Sequence, residues 1–145
     1  IKLDHVQEDV REKGVRLYLN YGHTIGQSIE MATSTGNEIY RHGEAVCLGM
    51  AAAAHLADHY YDDGLDRVGL HRQLLEIFHL PFTIDMSQIA VDLPTLEGMI
   101  YENLKKDKKR IAAGLRFVLV PEIGSAKTVT GIEEKMIRAA IKSLF

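Results

Sequence analysis

Apolar residues along this chain recur mostly three and four positions apart, the spacing of a helix that buries one face. Residues 22–33 place Ile25, Ile29 and Ala32 on such a face, and Ser34-Thr35-Gly36-Asn37 interrupts it. The strongest pattern covers 43–61, alanine-rich through its middle and closed by Asp62-Asp63-Gly64. A third helix is expected over 68–79, with Leu70, Leu74, Leu75 and Phe78 on one side and a stop before Pro81. Pro94 marks the start of a fourth, running to about residue 105 with Leu96, Met99, Ile100 and Leu104 apolar. The last opens on a capping-box pattern, Thr130-x-x-Glu133, and carries Ile132, Met136, Ala140 and Leu144 along one stripe. Residues 2–13 are also helix-compatible. They follow Ile1 without leader or cap, which reads as the middle of a longer protein.

A different pattern occupies Leu115-Arg116-Phe117-Val118-Leu119-Val120, which is β-branched and aromatic and ends at Pro121. With Lys127-Thr128-Val129 it is expected to form a small strand pair. There is no internal repeat and no low-complexity tract. Neither Gly-x-Gly-x-x-Gly nor a Walker pattern occurs, so no nucleotide-binding turn is expected. The expected architecture is one mainly α domain over 1–145, multi-helical with a small β pair.

Composition narrows the function classes. The 145 residues suffice for one domain with a real core, and 46% hydrophobic with 26% charged content is ordinary for a soluble protein. A formal charge of −3 argues against a nucleic-acid partner, whose binding needs a basic patch or stripe. The single cysteine, Cys47, rules out an internal disulfide and fits a reducing compartment. The longest apolar run, 45–54, is broken by Gly49 and is about half of the ~20 residues a membrane span needs. A soluble cytoplasmic protein without a membrane partner is expected.

The chemistry centres on two histidines, His23 in Asn20-Tyr21-Gly22-His23-Thr24-Ile25-Gly26-Gln27 and His42 in Arg41-His42-Gly43-Glu44, 42 − 23 = 19 residues apart. Imidazole is the commonest ligand for a borderline metal such as zinc, and a catalytic zinc site takes three protein ligands. Only two good candidates occur here. They are read either as part of a metal site or as hydrogen-bonded histidines at helix ends. Gly22 and Gly26 share a helix face where backbone can approach closely, and His23 and Gln27 form the adjacent face. A competing pair, His55 and His59, stands one turn apart on the long helix, but Asp58, Asp62 and Asp63 around it suggest a solvated polar face. Lys105-Lys106-Asp107-Lys108-Lys109-Arg110 is the basic cluster, either a wet helix end or an anion site. Glu12 and Arg16, four apart, suit a surface ion pair, and Asn20 a helix cap.

Taken together, Arg16-x-x-x-Asn20-x-Gly22-His23-Thr24-x-Gly26, then His42-Gly43-Glu44-Ala45-Val46 and Gly49-Met50, resemble the carboxy-terminal half of 3-dehydroquinate synthase, within the sugar-phosphate cyclases. Asp107-Lys108-Lys109 and the stretch from Gly114-Leu115-Arg116-Phe117 to Ile123-Gly124 match the same family. The resemblance implies a mostly helical carboxy-terminal domain, normally paired with an amino-terminal Rossmann-like NAD domain that is absent here. It implies an enzyme of aromatic amino-acid biosynthesis (the shikimate pathway) using Zn2+ or Co2+ and NAD. The substrate would be 3-deoxy-D-arabino-heptulosonate 7-phosphate, converted through transient oxidation at C5, loss of phosphate, reduction, ring opening and aldol closure to 3-dehydroquinate. A homodimer of full-length chains is implied as well.

Residue by residue, the resemblance makes His23 and His42 metal ligands, with a third, a glutamate, upstream of Ile1. Lys2, Arg16, Asn20 and Lys108 match substrate-contacting positions, and Glu12 an acidic position in the proton-transfer network. Lys108 is taken in preference to Lys109 within a doubled lysine. Gln27 stands where the family usually has a second histidine, and its amide cannot serve as a general acid or base near neutral pH. Related cyclases acting on sedoheptulose 7-phosphate, or on glucose 6-phosphate as 2-deoxy-scyllo-inosose synthase does, share the zinc motif. They tend to differ at the positions of Arg16 and Asn20. The alternative of another class is a non-catalytic helical metal-binding module, and the isolated 145 residues are expected to be inactive.

Overall fold

A computed structural model describes residues 15–34, 38–110 and 114–145, with no account of the side chains at 15–17 and 107–110. The helix expected over 2–13 lies outside the described residues. After a 3-10 turn at Val15–Asn20 come α1 (His23–Thr33), α2 (His42–Tyr61), α3 (Arg67–Ile77), a short 3-10 turn at Met86–Gln88, α4 (Leu93–Arg110), β1 (Arg116–Leu119), β2 (Lys127–Thr130) and α5 (Glu134–Lys142). The architecture is mainly α, with β1 and β2 paired antiparallel so that Phe117 faces Val129 and Arg116 faces Thr130.

The long helix α2 is the centre of the fold because its middle is apolar all round. Ala51, Ala52, Ala53 and Ala54 are all buried, as befits a helix covered on every side. Ile25 and Ile29 of α1, Leu48 and Leu56 of α2, Leu96, Ile100 and Leu104 of α4, Leu119 of β1 and Ile141 of α5 join in one core. Removing each such side chain from water contributes roughly 1.5–3 kcal/mol.

Where α1 crosses α2 the two backbones touch. A Cβ on Gly26 would stand 2.7 Å from the Ala45 carbonyl oxygen, and one on Gly49 would overlap the Gly22 carbonyl oxygen. Gly22, the residue before α1, also turns the chain at a left-handed φ of 77°. The glycines of the histidine motif therefore admit a neighbouring helix.

Three expectations change. Thr130 does not open the last helix: its backbone is the final rung of β2, Gly131 then turns at positive φ, and Glu133 occupies the N-cap. Pairing with Arg116, fourteen residues back (130 − 116), outcompetes the local cap. Its buried face is centred on Ile137, Ala140 and Ile141, with Met136 only partly buried.

Of the four apolar residues expected on one side of α3, only Leu75 is buried; Leu74 is 46% and Phe78 69% exposed. This helix ends at Ile77, and His79, at a φ of 54°, closes it while Leu80 N–H donates to the Leu75 carbonyl at 2.8 Å. Finally, α4 runs to Arg110, through the basic cluster. Among the described residues no helix is long and apolar enough to cross a membrane.

Candidate metal centre

His23 and His42 are the first residues of α1 and α2. The glycine crossing brings these two helix starts side by side. The chain entering α2 is pinned twice: the buried Tyr40 hydroxyl accepts the Asp85 N–H at 2.7 Å, and the Glu44 carboxylate reaches back to the Arg41 N–H at 2.8 Å. The imidazole centres of His23 and His42 are 5.3 Å apart, with the rings inclined at 62°. Two histidines bound tetrahedrally to one zinc at about 2.0–2.1 Å per nitrogen have ring centres roughly 5 Å apart. The spacing fits.

The hydrogen bonds fit as well. His23 Nδ1 donates to the Tyr21 carbonyl at 3.1 Å, and His42 Nδ1 donates to Glu30 Oε2 at 2.9 Å. A carbonyl and a carboxylate only accept, so each neutral ring keeps its proton on Nδ1 and its lone pair on Nε2. Among the described residues no group of three His, Cys, Asp or Glu side chains forms a metal cage. The two Nε2 atoms are the candidate donors.

Tyr21, whose carbonyl orients His23, is itself anchored. Its hydroxyl donates to His71 Nε2 at 2.7 Å, while His71 Nδ1 donates to the Arg67 carbonyl at 2.7 Å. Burial pushes the Tyr21 phenol far above its usual pKa, so it stays a neutral donor.

The other sequence candidates fall as follows. Gln27 is exposed, one turn beyond His23 on α1. Asn20 ends the 3-10 turn and is partly buried. Lys2 and Glu12 lie outside the described residues. Arg16 and Lys108 belong to the 3-10 turn and to α4, with their side chains likewise undescribed. Asn103, two residues before the basic cluster begins on α4, donates to the Ser28 carbonyl of α1 at 3.4 Å.

His55 and His59 sit with ring centres 4.5 Å apart, and His59 Nδ1 donates to the His55 carbonyl at 3.0 Å. Burial, with the His59 ring next to it, lowers the His55 pKa. The acids near them are not simply a solvated face. Asp58 and Asp63 hold Arg67, which is only 4% exposed, at 3.1 and 2.6 Å, and its guanidinium also donates to the Val120 and Pro121 carbonyls. This clamp joins α2, α3 and the end of β1. Sequence reading missed it, although Arg67 four residues after Asp63 was the available signal. Arg67 and His71 also line a cavity of about 400 Å³ with Leu65, Leu70, Pro121 and Ile123, which neither candidate ligand enters. Cys47 is buried, and that burial pushes its thiol pKa up.

Residues 1–110 match the family model described as 3-dehydroquinate synthase C-terminal. The chain belongs to the 3-dehydroquinate synthase family. It is 42% identical over 130 residues to the 3-dehydroquinate synthase of Geobacter metallireducens, covering 89% of this chain and 33% of that protein. With the enzyme of Crocosphaera subtropica it shares 34% identity over 143 residues, 99% of this chain and 37% of the other. The chain thus spans about a third of the length of these relatives.

Solved structures of related cyclases share the fold. A 2-deoxy-scyllo-inosose synthase complexed with carbaglucose-6-phosphate, NAD+ and Co2+ superposes with a TM-score of 0.71 at 26% identity, over 99% of this chain and 38% of that one. The 2-epi-5-epi-valiolone synthase of Streptomyces hygroscopicus, with NAD+ and Zn2+ bound, gives 0.74 at 25% identity, over 98% and 36%. The family and the helical carboxy-terminal architecture expected from the histidine motifs are those found.

Proposed function

We propose that this chain is the metal- and substrate-binding domain of a 3-dehydroquinate synthase, converting 3-deoxy-D-arabino-heptulosonate 7-phosphate to 3-dehydroquinate with release of phosphate. The observation that carries the reading is the His23–His42 pair, 5.3 Å between ring centres with both Nδ1 atoms already engaged. His23 and His42 hold Zn2+ or Co2+ through Nε2, together with a glutamate that precedes Ile1. When bound, the metal polarises substrate oxygens as a Lewis acid. NAD is the second cofactor, a reading supported by the NAD+ present in the two solved cyclases, and it is held mainly by an amino-terminal domain. The working enzyme is a cytoplasmic homodimer.

The chain's own residues bind and orient the substrate. Arg16 receives the carboxylate, where a planar guanidinium makes two parallel hydrogen bonds. Lys2 and Lys108 neutralise the phosphate, and Asn20 bonds a substrate hydroxyl. Glu12 holds the proton that must move when phosphate leaves. Gln27 offers its amide as donor and acceptor, positions groups, and transfers no proton. Substrate choice is supported by the 34–42% identity with relatives named 3-dehydroquinate synthase.

The decisive assay presents the full-length protein, with NAD and zinc, with heptulosonate 7-phosphate and with sedoheptulose 7-phosphate in parallel. Turnover of the heptulosonate alone is expected. Preferential turnover of sedoheptulose 7-phosphate, or of glucose 6-phosphate in a third parallel reaction, would reassign the protein to a sister cyclase, and turnover of none of the three would leave a non-catalytic module.

A further inference from the structure

Glu30 has no role in the proposed chemistry so far, yet it makes the most specific contact in the metal centre. It lies on α1 seven residues after His23 (30 − 23), two turns along the same face. From there its Oε2 meets His42 Nδ1 at 2.9 Å. The two side chains are 33% and 54% exposed, so as an ion pair the contact is worth little to stability. Its effect on the imidazole is larger. A free neutral histidine tends to carry its proton on Nε2, which blocks that atom as a ligand. A carboxylate at Nδ1 keeps the proton there, fixes the ring and makes Nε2 a better donor. His23 obtains the same tautomer from a backbone carbonyl, which no substitution removes.

We infer that Glu30 is the positioning residue of His42, the carboxylate that presents Nε2 to a divalent cation. α1 then supplies one ligand and orients the other. This inference rests on the proposed role of His42 as a ligand, and the experiment separates the two. Zn2+ affinity of the full-length protein is measured by competition with a chelating indicator for wild type, Glu30→Ala, Glu30→Met and His42→Ala. Glu30→Met preserves length and helix propensity but offers no carboxylate.

Both Glu30 variants should bind Zn2+ about 10–100-fold more weakly, the usual effect of losing such a partner. The metal-free thermal midpoint should stay unchanged. In 15N-histidine spectra of the metal-free protein, at a pH where the ring is neutral, the His42 proton should sit on Nδ1 in wild type and move to Nε2 in both variants. Affinity within threefold of wild type, or a proton that stays on Nδ1 in the variants, overturns the inference. If His42→Ala binds Zn2+ as tightly as wild type, the underlying reading of His42 fails instead.

Discussion

Replacing Gly49 by alanine tests how the two candidate ligands are brought together. The added methyl would overlap the Gly22 carbonyl oxygen and stand 2.7 Å from the Gly26 nitrogen. Both obstacles are backbone, so no side-chain rotation relieves them and α1 must move away from α2. Overpacking costs about 1–3 kcal/mol even where side chains can yield, and the upper end applies here. Alanine returns about 1 kcal/mol of helix propensity, leaving a net loss of about 2 kcal/mol. For a chain of this size that lowers the unfolding midpoint by roughly 4–8 °C.

Gly98→Ala is the matched control. It also lies inside a helix, but a methyl there meets nothing within 4 Å. It should be neutral or stabilising by up to about 1 kcal/mol. Thermal unfolding followed by circular dichroism, with zinc content measured on the same samples, reads both effects. Gly49→Ala should lose stability and bound zinc together, because His23 rides on the helix that is displaced. Two alanine variants with equal midpoints and full zinc would refute the argument that the glycine crossing sets the histidine separation.

Two further outcomes follow from the arginine clamp. Arg67→Met should cost about 2–3 kcal/mol in urea unfolding, since it takes the cation from the partly buried Asp58 carboxylate, which keeps only the Arg67 and Val68 N–H groups, and leaves two carbonyls without their donor; a loss under about 1 kcal/mol would make the clamp no more than a surface contact. The hydrogen bonds from Arg67 hold the Asp63 carboxyl at about 2, below its ordinary 3.8. A carboxyl with a folded pKa below its unfolded one stabilises the fold above the unfolded value and loses that contribution as pH falls through the folded value. Wild type should therefore exceed Asp63→Asn in unfolding midpoint near neutral pH, with the gap closing between about pH 4 and pH 2. A gap that widens toward acid would reverse the sign of that coupling.

Local pattern determined much of this protein. The periods of α1, α2 and α4 can be read from their apolar spacing, and so can the strand pair from its β-branched run, because each depends on neighbours within a few residues. His23 and His42 were legible as candidates for the same reason, each inside a short glycine-marked motif. What tertiary structure decided was which of several locally possible arrangements found a partner. Thr130 offers a helix cap, but a strand rung is available from β1, so the cap is not used. Leu74 and Phe78 share a stripe with Leu75 but stay exposed among the described residues, and periodicity carries no information about the facing element. Asp58 and Asp63 read as part of a solvated face until three segments converge and bury the Arg67 cation against them. Glu30 and His42, twelve residues apart, form a pair only because two helix backbones approach closely enough to set one helix beside the start of the next.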